Sequence, residues 1–411
     1  MFDTSAAETL GFSTDRLQRI DAFLQESYID SGRLPGAQVL VARGGTPVHY
    51  AKFGNLREDG TEMRDDAMFR IASMTKPITS IAFMQLVEQC KVAVEDPVSR
   101  VFPEFAKLGA YAGGGGAIPF APTKQGQPMR FVDLLTHMSG LTYGFQNRSS
   151  IDAAYRAAKL DLARGSMTSD DYIATLARIP LEFEPGARWN YSVSTDVLGV
   201  AVERISGMKL GDYFREHIFG PLGMDDTGFD VSADKLDRMA DVWSYNPGKP
   251  PRLMDKAEDG RLVAEASFHS GGGGLVSTTA DYAKFAAMLV KRGALDGTRI
   301  IAPKTLDLMT ANHLPGGADL TELSQSLFSE ANNAGTGFGL GFACVIDPAK
   351  TLMPASLGEF YWGGAYSTAF FVDPLEEITM VFMTQIYPSS TYPIRRQLKT
   401  LIYSALEDSY A

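Results

Sequence analysis

The stretch Phe69-Arg70-Ile71-Ala72-Ser73-Met74-Thr75-Lys76-Pro77 changes its period in the middle, and that change constrains the fold more than any other feature of the chain. A short apolar run leads to Ser73. A helical pattern of Ile78, Ile81, Met84, Leu86 and Val87 follows at once, so the spacing predicts a helix with Ser73 at its N-terminus. Positions i and i+3 share a helix face, which sets Lys76 beside Ser73, and the unpaired N–H groups of a first helical turn favour developing negative charge. Ser73 is therefore a candidate nucleophile, provided that burial or a neighbouring charge strips Lys76 of some proton affinity. Ser-x-x-Lys also arises where Ser simply caps a helix and Lys is solvated, so the rest of the chain has to decide.

Strand patterns lie at both ends of the chain and helical ones between. Ser13 reads as the N-cap of a helix that turns Leu17, Ile20, Phe23 and Leu24 inward. Residues 37–42 and 48–53 read as an antiparallel hairpin across Gly44-Gly45-Thr46-Pro47. Residues 108–130, rich in Gly and Pro, read as an irregular surface loop, either a solvated insertion or a lid. Residues 131–136 predict a short helix with Gly140 at its C-cap or turn. The 150–222 block is helix-rich: Ser169 caps 172–179, Thr195 opens 197–205, and 210–218 ends at Gly220-Pro221. Ser277-Thr278-Thr279 caps a helix over 281–291, residues 338–346, 368–372 and 378–385 read as strands, and 394–406 is a terminal amphipathic helix.

This order predicts an α+β fold in which an antiparallel sheet, built from N- and C-terminal segments, is flanked by helices and carries an inserted helical region. The expected division is 1–72 with 270–411 for the sheet region and 73–269 for the mainly helical region, with the ligand cleft between them in one integrated unit.

Composition narrows the function classes. A formal net charge of −11, spread without a long run of one sign, argues against nucleic acid or an anionic membrane as partner. Cys90 and Cys344 are the only cysteines, too few for a disulfide framework or a cysteine-based zinc site, and no His-x-x-x-His or carboxylate cluster has ligand spacing. No metal and no cofactor are expected. Residues 1–8 lack a basic start and an apolar stretch, and no apolar run reaches about 18 residues, so the expected location is cytoplasmic. Oligomeric state is not legible.

Two further segments carry candidate chemistry. Tyr191, in Trp189-Asn190-Tyr191-Ser192-Val193-Ser194, precedes a capped helix, and a tyrosine fixed there can relay a proton if a cation lowers its pKa from about 10. A half-buried aromatic whose hydroxyl finds a backbone partner is the plainer reading. Tyr361-Trp362-Gly363-Gly364-Ala365 sits at the edge of the C-terminal strands, where paired glycines admit close backbone approach and a following N–H can donate to an oxyanion, or simply make a turn.

Together Ser73-x-x-Lys76, Leu134-Leu135-Thr136-His137-Met138-Ser139-Gly140-Leu141, Tyr191-Ser192-x and Trp362-Gly363-Gly364 resemble the serine β-lactamase and penicillin-binding-protein superfamily, in order over nearly the whole chain. Within it the match is similar to the family VIII carboxylesterases, relatives of class C β-lactamases. The resemblance implies a β-lactamase/transpeptidase-like fold and acyl transfer through an acyl-enzyme on Ser73. It gives Lys76 and Tyr191 shared base and acid work, and makes the N–H groups of Ser73 and Ala365 an oxyanion site beside Trp362, Gly363 and Gly364.

Departures from the lactamase pattern point toward neutral substrates. Trp362-Gly363-Gly364 stands where those enzymes carry Lys-Thr-Gly, and Val193 stands where they carry the Asn of Tyr-x-Asn, so apolar contact replaces polar recognition. A Ser-His-Asp esterase is a poor rival, because Gly-x-Ser-x-Gly is missing and the five histidines lie in no motif that makes one a base. The expected function is hydrolysis of small, short-acyl carboxylic esters. The alternatives are a β-lactamase or D-amino-acid peptidase, an acyltransferase, and a sensor module that acylates once and stops.

Overall fold

The computed structural model describes residues 2–124, 126–259, 262–325 and 333–410. Its centre is a seven-stranded sheet. In spatial order the strands are Thr336–Phe338, Ala343–Val345, Phe360–Gly363, Ala369–Asp373, Ile378–Thr384, Gly36–Arg43 and Thr46–Gly54, each antiparallel to its neighbours. The N-terminal hairpin thus joins the C-terminal strands along one seam, where Leu40 faces Val381 and Val39 faces Phe382.

Both seam strands are buried along their whole length, which is why they read as mostly apolar runs and not as alternating ones, with Gln38, Arg43, Thr379 and Thr384 buried among them. Helices cover the two faces. Leu17, Ile20 and Leu24 of the Thr14–Leu24 helix and Leu398 and Ile402 of the Ile394–Ser404 helix pack with Val39, Val41, Phe371, Met380 and Phe382 on one side. The Thr279–Val290 helix packs Tyr282, Phe285 and Met288 with Phe370, Val372, Val381 and Met383 on the other. Period-two alternation sorts these side chains between the faces.

The Thr75–Glu88 helix lies in the larger core, buried from Thr75 through Leu86, and packs against the Ser194–Ser206 helix. Buried almost all round, it is a core helix rather than an amphipathic surface one. The Met68–Arg70 strand leads into it and pairs with Val276–Thr278.

Several local readings differ from the structure for identifiable reasons. The 108–130 segment is no irregular loop: Tyr111–Gly115 and Ile118–Pro122 pair as a hairpin whose register shifts twice at its glycines, hiding any alternation. Thr168, one residue before Ser169, caps the Ser169–Leu176 helix and completes a capping box with Asp171. The 210–218 helix runs on past Gly220-Pro221 and ends at Gly223, because proline is tolerated in a first helical turn and Gly220–Leu222 begins a new one. Helix Ser194–Ser206 opens one residue before Thr195. The stretch 338–346 contains the turn between two strands, and the N-terminal hairpin turns on Gly44-Gly45 alone, with Thr46 and Pro47 already paired. No helix among the described residues is long and apolar enough to cross a membrane.

Behind the sheet, the C-terminal helix is pinned by charge as well as by apolar contact. Lys399 Nζ meets Glu359 Oε1 at 2.5 Å, with both residues buried, and the Tyr403 hydroxyl donates to Glu359 Oε2 at 2.9 Å. Breaking such a pair strands a charge in a low dielectric. Lys399→Ala should lower the unfolding free energy by about 3–5 kcal/mol, read from urea denaturation, whereas Lys399→Met with Glu359→Leu should recover most of that loss. A loss below about 1 kcal/mol for the single variant would contradict a buried ionic anchor.

Candidate active site

Ser73 sits in a single 3-10 turn, Ala72–Met74, that runs straight into the Thr75–Glu88 helix. The preceding Ala72 has φ 44°, in the left-handed region that an L-residue enters at a cost of about 1–2 kcal/mol. This bend aims the Ser73 side chain out of the core and keeps Lys76 one helical turn away.

Lys76 Nζ donates to Ser73 Oγ at 3.2 Å, to the Tyr143 hydroxyl at 3.0 Å and to the Gly272 carbonyl at 2.6 Å. Its side chain is only 2 % exposed, so these three acceptors replace the water an ammonium would otherwise hold, one for each N–H. Tyr191 donates its hydroxyl to Ser73 Oγ at 2.6 Å, and the Lys76 amine lies 4.6 Å from the centre of its ring. Ser73 Oγ thereby accepts from a phenol and from an ammonium, and either group can take the serine proton only after it has lost its own.

Tyr191 is fixed by its neighbours rather than by a regular element. Gln146 Nε2 donates to its carbonyl, the Trp189 ring stacks at 6.3 Å and 15°, and His137 meets it edge-on at 5.0 Å. Burial, helped by the nearby Lys76 charge, holds His137 well below its ordinary pKa. It is a neutral ring with Nδ1 3.3 Å from Ser192 Oγ. His137 itself takes φ 57° and ends the Phe131–Leu135 helix, where the sequence pointed to Gly140. Gly140 makes the turn itself, at φ 82°, and a Cβ there would lie 2.2 Å from the Phe183 carbonyl.

The end of the Phe360–Gly363 strand, third in the sheet, brings the third segment to the same place. A Cβ on Gly364 would fall 2.3 Å from the Ile71 carbonyl and 2.2 Å from Thr368 Oγ1, so only glycine lets this strand lie against the turn that carries Ser73. Arg395 supports it from behind, donating to the carbonyls of Gly364 and Thr368 at 2.9 Å each. Ala365 follows directly. Trp362 faces the site, 5.5 Å from Tyr191 and edge-on to Phe338 at 5.4 Å, while Phe338 also lies 5.6 Å from Trp189. Phe145, 44 % exposed, stacks on Tyr143 at 4.7 Å and adds an apolar surface open to solvent. Among the described residues, Tyr143, Phe145, Trp189, Tyr191, Phe338 and Trp362 form an aromatic cluster beside Ser73.

The structure therefore brings Ser73, Lys76, Tyr191, Trp362 and Gly364 together from three separate segments, while Gly363 faces Arg395 and Ala365 follows Gly364 in the chain. Two residues of the cluster escaped sequence reasoning. Tyr143 supplies an acceptor for Lys76, and the buried Asp196 accepts from Ser270 Oγ at 2.5 Å and from the Gly272 N–H at 3.0 Å. Neither lies at helical or strand spacing from Ser73. The one available signal is Ser270-Gly271-Gly272-Gly273-Gly274, a glycine run that admits close packing: a Cβ on Gly272 would lie 2.4 Å from Asp196 Oδ2. Among the described residues no cluster of three or more His, Cys, Asp or Glu side chains could hold a metal ion.

Comparison with known proteins agrees with this geometry. Residues 18–403 match the Beta-lactamase family. The chain is 37% identical over 367 residues to Protein Rv1367c of Mycobacterium tuberculosis, covering 87% of this chain and 88% of the other. It is 31% identical over 408 residues to Esterase EstB of Burkholderia gladioli, covering 94% and 95%. Among solved structures it is similar to EstCE1, described as a hydrolase with promiscuous acyltransferase activity, with a TM-score of 0.79, 27% identity and coverage of 97% and 99%. Its α+β architecture is that of the β-lactamase/transpeptidase-like fold, and the chain belongs to the Beta-lactamase family, within the serine β-lactamase and penicillin-binding-protein superfamily.

Proposed function

We propose that this protein is a cofactor-free carboxylesterase of the family VIII type, cleaving small, short-acyl esters through an acyl-enzyme on Ser73. The observation that carries this reading is the double hold on Ser73 Oγ, by Tyr191 at 2.6 Å and Lys76 at 3.2 Å, inside aromatic walls. Ser73 Oγ attacks the ester carbonyl and its proton passes to the Lys76–Tyr191 pair, which has first given up one of its own protons to solvent. The N–H groups of Ser73 and Ala365 receive the oxyanion, the first of them at the start of a helical turn whose leading N–H groups lack intrahelical acceptors. The C–O bond to the alcohol breaks, the alcohol leaves with the proton held by the pair, and a water repeats the sequence in reverse to free the acid and restore Ser73. Two groups this close titrate as one unit, so base and acid belong to the pair.

The cleft lies between the sheet region, 1–72 with 270–411, and the helical region, 73–269. Aromatic walls and the indole of Trp362 suit a neutral ester, and neither a nucleic acid nor a membrane is the partner. Similarity to a hydrolase with promiscuous acyltransferase activity supports one second reading, in which an alcohol takes the acyl group in place of water.

Ser73→Ala should abolish turnover of a short aryl ester in a protein that stays folded, since no acyl-enzyme can form. Hydrolysis retained above about one part in a thousand would remove Ser73 as nucleophile. Product analysis with an added alcohol then separates hydrolysis from acyl transfer.

Selectivity should follow Trp362. A carboxylate-bearing β-lactam meets an indole where a cation would pair with it, and a charge-assisted hydrogen bond is worth about 1.5–3 kcal/mol, or ten- to a hundredfold. The kcat/KM for a short aryl ester should exceed that for a chromogenic cephalosporin by at least about a hundredfold, and Trp362→Lys should raise the absolute cephalosporin rate. Equal wild-type rates on the two substrates would place choice elsewhere and favour a β-lactamase.

A further inference from the structure

A buried carboxylate stands behind the reacting groups and has no part in the steps above. Asp196, on the Ser194–Ser206 helix, is 4 % exposed. Two routes join it to Lys76. In the first, the Tyr143 hydroxyl accepts from Lys76 Nζ at 3.0 Å and lies with Asp196 Oδ2 against Gly272, where a Cβ would fall 2.9 Å from the one and 2.4 Å from the other. In the second, Gly272 gives its N–H to Asp196 Oδ1 at 3.0 Å and its carbonyl to Lys76 Nζ at 2.6 Å. Tyr143 can serve both neighbours because burial, the Asp196 charge and Tyr191 hold its phenol well above the ordinary value, so it keeps the proton it donates.

Burial pushes the Asp196 carboxyl up. The Lys76 charge opposes that most strongly, followed by hydrogen bonds from Ser270, Gly272 and Tyr143. The groups that face the carboxylate are Lys76, Tyr143, Tyr172 and Asp161, and of these only Lys76 is cationic. Around Lys76 itself lie Tyr191 and His137, the latter neutral. A carboxylate and an ammonium both removed from water are tolerated only as partners, and here a phenol and a glycine stand between them.

We propose that Asp196 is the counter-charge of Lys76 and that, through Tyr143 and Gly272, it sets the pH at which the Lys76–Tyr191 pair gives up the proton that arms Ser73. Asp196 is a positioning residue, acting on the pair rather than on substrate. The inference rests on the reading of Ser73 as nucleophile. A negative charge favours the protonated form of its neighbours, so with Asp196 present the acid limb of activity lies at higher pH than without it.

The test is the pH profile of Asp196→Asn, which keeps the shape and removes the charge. It is read in two ways: kcat/KM for a short aryl ester, and the rate of labelling by a fluorophosphonate. In the second, Ser73 Oγ bonds to phosphorus, fluoride departs and the serine proton goes to the pair, whatever the natural substrate is. The acid limb should move down by about one pH unit or more in both readouts. Mere loss of packing would lower the rates at every pH and leave the limb in place, and that result in a folded variant overturns the proposal. Should Asp196→Asn fail to fold, Tyr143→Phe removes one of the two routes and should move the limb in the same direction by less, while an unmoved limb there overturns the proposal equally. Normal labelling without ester turnover would sink the esterase reading and leave this one standing if the labelling limb shifts. A wild type that takes no label at any pH would remove Ser73 as nucleophile, and the counter-charge role with it.

Discussion

A lysine amine almost sealed from water at Lys76 is the constraint to which the rest of the site answers. An ammonium taken out of water costs several kcal/mol unless each N–H finds an acceptor and the charge finds a partner. Ser73, Tyr143 and Gly272 supply the acceptors, and Asp196 lies beyond the last two. This explains why four distant stretches of chain meet here: the helix that carries Lys76, the turn with Tyr143, the helix with Asp196 and the glycine run ending near Leu275. Each brings a group that would be expensive to bury alone.

The fold makes that meeting possible by holding one strand edge and one helix start at fixed separation. The helix start is locked because Thr75–Leu86 is core on every side, so Ser73 cannot shift without moving the centre of the protein. The strand edge is locked by glycine geometry at Gly364 and by Arg395 behind it. Positioning of this kind is what acyl transfer needs, because the oxyanion donors must be in place before charge develops. Trp189, Tyr191, Phe338 and Trp362 then pack as one aromatic cluster beside Ser73.

How much of this was legible in the sequence depends on the range of the interaction. Ser73 and Lys76 could be read because i and i+3 on one helix are neighbours by construction, and the large sheet could be read because its seam strands are mostly apolar. Tyr191 and Trp362 were readable as candidates through local motif and resemblance, although no spacing law ties them to Ser73. Tyr143 and Asp196 were missed because their roles exist only after folding, when residues 67 and 120 positions from Lys76 close around one amine. Boundaries failed where a second signal competed with the first: His137 leaves the helix in a left-handed conformation three residues before the turn at Gly140, Pro221 starts a turn instead of ending one, and the glycines of 113–116 disguise a hairpin as a loop.

The central claim is that Ser73 carries the acyl group between ester and water, and trapping that intermediate tests it most directly. A short aryl ester mixed with the enzyme and quenched in acid on the millisecond scale should leave an acyl adduct, located by peptide mass mapping on Ser73, that forms and decays at rates consistent with turnover. Turnover that proceeds with no adduct on Ser73, or with the acyl group found on another side chain, would contradict the account.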